Sequence, residues 1–273
     1  MHLSLPLFAL LPLTAATALT PQHIFSNPSS PSESTSRIPT SYESAVLARR
    51  ILHLTGIGTL ATVFPSSKSH SEGKDDGEET NEQRPQNLGG MPIGLMDYLA
   101  DCESTGNPAI LAITIATSFK NVAAGSNISL SLTWTPPSSS SHQYRPSFSP
   151  TTFTYSPASL PRFSLLGYLE PITPSLVDSL KLAKCFTTTH PDAKYWLPGN
   201  PIHTSEWVRL VVREVYWIGG FGDRNYIGWI PVEEWKGVKR EEWEGVRLPG
   251  EEDSEENENG WMGWVRGLVR GEL

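Results

Sequence analysis

The sequence predicts a mainly β domain with flanking helices, in which six or seven antiparallel strands close into a small barrel. Strand-like segments follow one another with only two helical stretches among them, which argues against alternating β-α units and for an antiparallel sheet. Residues 127–135 (NISLSLTWT) put Ile128, Leu130, Leu132 and Trp134 on one face and hydroxyl side chains on the other, the period of a half-buried strand. Residues 206–218 form the longest strand, with Val208, Leu210 and Val212 alternating against Arg209, Val211 and Arg213. Six or seven such strands suffice for a closed barrel.

The elements run in this order. Thr40-Ser41 caps a first helix with Ala45, Ala48 and Leu52 on its apolar stripe, Arg49, Arg50 and His53 facing elsewhere, and Gly56 ending it. Residues 57–64 are the first strand, 91–99 and 108–118 the next two, 127–135 the fourth and 162–172 the fifth. Thr173-Pro174 then reads as a cap with proline at the first helical position. The second helix carries Leu176, Val177, Leu180, Ala183 and Phe186 on one stripe and ends at His190-Pro191. After the long strand, Gly219, Gly220 and Gly222 turn the chain into a short strand at 226–230.

Composition divides the chain of 273 residues into pieces. Residues 3–13 are apolar but too short to span a bilayer, and Ala16-Thr17-Ala18 fits a signal-peptidase site, so residues 1–18 are expected to be a signal peptide. Residues 19–40 are a Ser/Pro/Thr-rich flexible leader. The domain occupies 41–235, with polar insertions at 66–90 and 136–161, and residues 236–273 are an acidic tail in which Trp261, Trp264, Val265 and Leu268 could line a short helix. No later segment is apolar enough for a membrane span. The location expected is the secretory pathway, outside the cell or in a vacuolar or lysosome-like lumen.

Formal net charge is -8, with much of the acid in 74–82 and 251–258. No basic stripe exists to neutralise phosphates, which excludes nucleic acid as a partner. Cys102 and Cys185 suit an oxidising compartment, and whether they pair is left open. Two thiols cannot build a closed zinc site, and no metal site is expected. Asn127-Ile128-Ser129 is the one clean glycosylation sequon, because Pro28 follows Asn27. His53, His190 and His203 lie on different elements, and His190 reads most simply as a helix-terminating residue. No metalloprotease, serine-hydrolase or phosphate-loop motif appears. Most of the late tryptophans (Trp196, Trp207, Trp217, Trp229, Trp235 and Trp243) are expected in the core or at a dimer interface.

Four stretches together resemble a known family. SYESAVLARRILHLTGIGTLATVFP (41–65) is similar to the start of CREG-like domains, in which an Arg-containing helix precedes a G-x-L-A-T strand. Met91-Pro92 through Tyr98 resembles their second strand, CFTTTHPDAKYW (185–196) their helix end, and WVRLVVREVYWIGGFG (207–222) their late strand and glycine turn. This resemblance implies an FMN-binding split barrel of the pyridoxamine 5'-phosphate oxidase-like superfamily, in its CREG-like branch.

Pyridoxamine phosphate oxidases in that superfamily grip flavin mononucleotide with a T-x-x-S-R-K-like stretch and a following Asn. Thr117, Ser118, Phe119, Lys120 and Asn127 stand where that pattern would fall. Ser118 and Lys120 are therefore the candidate cofactor contacts, against the plainer reading of a solvated lysine at a strand end. Phe119 occupies the arginine position, and no Arg-x-His segment follows Trp235. The resemblance thus favours a secreted, non-catalytic glycoprotein, a homodimeric binding scaffold with an interface of ~2,000 Å² or more and no required cofactor. The alternative is an FMN-dependent oxidoreductase retaining Ser118 and Lys120.

Overall fold

The computed structural model describes residues 37–66, 85, 87–136, 157–173, 175–249 and 251, all within one unit spanning 37–273. The expected signal peptide, most of the leader, most of both insertions and the helix expected around Trp261 lie outside the described residues. Among the described residues no helix is long and apolar enough to cross a membrane.

Seven strands form one antiparallel sheet: β1 (Ile57–Val63), β2 (Pro92–Ala100), β3 (Ala109–Ile113), β4 (Ile128–Thr133), β5 (Arg162–Pro171), β6 (Ser205–Ile218) and β7 (Ile227–Ile230). Their order is β3-β2-β1-β4-β5-β6-β7, and β3 also pairs with β6, which closes six strands into a barrel and leaves β7 as an added strand. The barrel is split where β2 meets β3, since only Leu99↔Ile110 and Ala100↔Ala109 pair there. The expected six- to seven-stranded antiparallel barrel is therefore what the chain builds.

Alternation explains the interior. Gly58, Leu60, Thr62, Ile128, Leu130, Leu132, Phe163 and Leu165 point inward and are buried. In β6 the positions buried in the barrel cluster are Val208, Leu210 and Val212, but then Val215 and Trp217, so the phase shifts by one residue. A bulge causes this: Leu166 pairs with Glu214 while Gly167 pairs with Val212, leaving Arg213 as the extra residue. Gly167 is fixed by the same bend, because a Cβ there would lie 2.0 Å from the Val211 carbonyl oxygen.

One end of the barrel is filled by α1 (Ser41–Leu54), whose start is a capping box between Thr40 and Glu43. Its buried Ala45, Ala48, Ile51 and Leu52 share a cluster with the barrel interior and with Trp235, Val238, Trp243 and Leu248. The last four belong to a C-terminal strap containing α4 (Val232–Gly237) and α5 (Arg240–Glu244). The domain edge expected at 235 thus falls inside packed structure. The strap is tied down by Trp134 Nε1 donating to the Pro249 carbonyl (2.8 Å), Tyr42 Oη donating to Glu242 (2.7 Å), and an Arg50–Glu251 ion pair. Fully burying a tryptophan such as Trp217 or Trp235 removes roughly 150–250 Å² from water, an upper estimate of about 4–6 kcal/mol each.

A second, smaller cluster lies outside the barrel, where Phe186 on α3 (Leu176–Thr189) and Ala193 pack on Ala100, Leu111 and Trp207. Ser175, not Thr173, caps this helix, accepting from the Asp178 N–H. The stripe differs as well: Leu180 is two-thirds exposed, and Leu182, Ala183 and Phe186 face the barrel. Cys102 and Cys185 form a disulfide that fastens α3 to the segment after β2.

Candidate functional site

The segment expected to be the end of a strand, 114–118, is instead a turn into α2 (Thr117–Ala123). The β3 ladder stops at Ile113, and the Phe119 and Lys120 N–H groups bond back to the Ala116 carbonyl. This changes the geometry of Ser118 and Lys120. Two residues apart on a strand, they would share a face; on a helix they leave the axis about 200° apart. Ser118 is buried at 2% exposure and Phe119 packs into the core, while Lys120 is half-buried. Asn121 fixes the helix, its Nδ2 donating to buried Thr62 Oγ1 on β1 (3.0 Å). The two candidate side chains therefore leave α2 on different sides, Ser118 buried and Lys120 half-buried. Asn127 itself lies exposed just before β4, while Ile128 of its sequon is buried as the first residue of that strand.

His190 ends α3 as expected, yet it is buried rather than solvated. Its Nε2 bonds to the Leu99 carbonyl (2.9 Å) and its ring stacks on Tyr98 (4.2 Å). Tyr98 in turn donates to Asp192 (2.9 Å), which pushes the phenol above its usual pKa. The ring is closely packed: a Cβ on Gly56 would lie 2.7 Å from His190 Cε1. His203 is exposed in the loop before β6. Among the described residues no group of three His, Cys, Asp or Glu side chains is arranged to hold a metal ion.

A cleft of about 500 Å³ was not anticipated from the sequence. It lies between the end of α1, residues 101–105 and the start of the strap, and its floor is Arg49. Arg49 was expected to face away from the core but is 1% exposed. It lies four residues after Ala45 and three before Leu52, on the apolar stripe itself, which is the signal that places it. Its guanidinium sits over the Trp235 ring (5.4 Å) and donates to the carbonyls of Ser104 (3.2 Å) and Trp235 (3.5 Å). Gly106, at φ +75, lies close beneath it: a Cβ there would be 2.8 Å from Nη1. Asp101 is the counter-charge, with Oδ1 3.8 Å from Arg49 Nη2 and Oδ2 3.7 Å from His53 Nδ1. Burial pulls the Arg49 pKa down, and Asp101 offsets part of that.

This architecture defines a split β-barrel protein: a closed six-stranded antiparallel barrel, joined by only two residue pairs between β2 and β3, with flanking helices. The CREG beta-barrel family profile matches residues 39–237, and the chain belongs to that family. Curated protein sequences give no significant match. Among solved structures the fold is similar to a heme binding protein from Mycobacterium smegmatis (18% identity, TM-score 0.49, covering 74% of this chain and 62% of that one). Campylobacter jejuni ChuZ is similar at 11% identity and TM-score 0.43, over 73% of this chain and 66% of that one. A FAD-binding protein from Mesorhizobium loti matches at 11% identity and TM-score 0.34, over 61% of this chain and 87% of that one. The chain thus spans less than two thirds of the length of the first two.

Proposed function

We propose that this chain is a non-catalytic binding scaffold that works as a homodimer, secreted and glycosylated at Asn127. The observation that carries the reading is a transverse row on the outer face of the sheet. Met96, Thr59, Ser131, Ser164, Tyr216 and Trp229 pair in register across β2, β1, β4, β5, β6 and β7. Small hydroxyl residues form its middle, where the Ser131 and Ser164 hydroxyls bond each other at 2.7 Å. Large apolar groups stand at its ends: Met96 is 78% exposed and Trp229 54%, with Ile57 and Ile227 exposed alongside. A hydroxyl-lined middle with large exposed apolar groups at its ends suits a two-fold related copy, whose apolar groups would cover the hydroxyls.

Sedimentation of the glycosylated protein tests this. A dimer at micromolar concentration is expected, and the double change Met96→Glu/Trp229→Glu should yield a folded monomer. A wild-type protein that stays strictly monomeric overturns the dimer. Flavin mononucleotide has no part in this reading, since Ser118 and Lys120 leave α2 in different directions. A micromolar dissociation constant on titration with flavin mononucleotide would overturn the non-catalytic reading.

A further inference from the structure

Two polar atoms in the Arg49 cleft have no hydrogen-bond partner although they are buried: Arg49 Nε, a donor, and Asp101 Oδ1, an acceptor. The side chains carrying them are 2% and 4% exposed, and both line the same cavity. The ion-pair distances around Asp101, 3.8 Å from Arg49 Nη2 to Oδ1 and 3.7 Å from His53 Nδ1 to Oδ2, exceed a direct hydrogen bond. Gly106 and Trp235 pin the guanidinium from two sides, and the carboxylate sits next to the Cys102–Cys185 disulfide in the chain. The pair is therefore held open by its surroundings.

An anion entering here meets Asp101 and a cation meets Arg49, so neither alone satisfies both orphans. A group that presents an acceptor beside a donor does, and the simplest is an amide. The mouth adds a second preference. Arg240 is engaged by Glu244 (2.6 Å) and Glu103 by Arg209 (3.1 Å), which leaves exposed Lys236 and Lys239 against Glu241 among the other charged residues lining the mouth. That surplus of positive charge favours a carboxylate at the outer end of the ligand. We propose that the cleft binds a secondary amide next to a free carboxylate, the chemistry of an N-acyl amino acid or of the C-terminal residue of a peptide. A cavity of about 500 Å³ accommodates such a group.

Calorimetric titration of the full glycosylated chain with N-acetylalanine, N-acetylalanine methylamide and acetate tests the assignment. N-acetylalanine should bind, the methylamide about fivefold more weakly for lack of its carboxylate, and acetate not measurably. Lys236→Gln/Lys239→Gln should erase the difference between the first two while leaving the melting temperature unchanged, since both lysines are exposed. Tighter binding of tetra-alanine than of N-acetylalanine identifies a peptide end as the source, and equal binding identifies the free acyl amino acid. No heat and no chemical-shift change at Gly106 or Ser104 with N-acetylalanine overturns the proposal, because the orphan pair is then bridged by water alone. Acetate binding as tightly as N-acetylalanine overturns it too, as does indifference to the lysine substitutions.

Discussion

Replacing Arg49 by methionine isolates the charge at the floor of the cleft. The aliphatic part of the side chain keeps its volume, but the Asp101 carboxylate, 4% exposed, loses the permanent cation beside it. Removing one member of a buried ion pair costs about 3–5 kcal/mol, because the remaining charge stays desolvated. In a domain of this size each kcal/mol lowers the melting temperature by about 2–4 °C, so Arg49→Met should melt about 6–20 °C below the parent. The double variant Arg49→Met/Asp101→Leu removes both charges and should recover most of that loss, to within about 1 kcal/mol of wild type. Urea unfolding of the oxidised protein, followed by tryptophan fluorescence, measures both. A single variant within about 0.5 kcal/mol of wild type would refute the reasoning, since the pair would then be solvated in practice. So would a double variant as unstable as the single one, which would trace the loss to packing against Trp235 rather than to charge.

Other outcomes follow from the same structure. Gly167→Ala places a methyl group against the Val211 carbonyl and should cost at least about 1–3 kcal/mol by denaturant titration, whereas Gly125→Ala, whose Cβ meets nothing within 4 Å, should cost less despite its positive φ. Opening the disulfide with Cys102→Ser/Cys185→Ser releases a loop with sequence separation 83 and should remove up to about 4–5 kcal/mol on the chain-entropy account, measured by thermal melting. Burial raises the pKa of Asp97, the Tyr98 N–H pulling weakly the other way, so the folded state favours the protonated acid. That contribution is fully present below the unfolded pKa of about 4 and is lost as pH rises through the folded value. Asp97→Asn, which keeps the carbonyl that Tyr98 donates to, should therefore raise the melting temperature at pH 7 and change nothing near pH 3; an equal effect at both pH values would sink this account.

Alternation made most of the barrel legible, because each face of a strand answers to one environment: Ile128, Leu130 and Leu132 are buried where the pattern puts them. It failed where geometry resets the count. Arg213 adds a residue to β6 and moves the buried set from even to odd numbers, which periodicity reads as a loss of pattern rather than as a bulge. The α2 turn was misread because Ala112, Ile113, Ile115 and Ala116 extend an apolar run past the last ladder pair, and only tertiary context ends the strand there. The cleft was missed for a different reason. Arginine on a helix is assumed to face water, and the partners that make Arg49 tolerable inside, Asp101, Gly106 and Trp235, lie roughly fifty to two hundred residues away in sequence. The same distance hid the packing of Val238 and Leu248, which composition assigned to an acidic tail, although Trp243 between them was expected in a core or interface.

The C-terminal strap also sets an order of events. Tyr42 and Glu242, and Arg50 and Glu251, meet across 200 and 201 residues, so α1 is made first and covered last. During synthesis, Ala45, Ala48, Ile51 and Leu52 have no outer neighbour until residues 235–248 have emerged. Contacts of such long range form slowly and leave apolar surface open to other chains meanwhile. The nascent chain thus has a defined window of vulnerability, which closes only when Trp243 and Leu248 arrive, and a message cut short after residue 231 would yield an aggregating species rather than a smaller working domain.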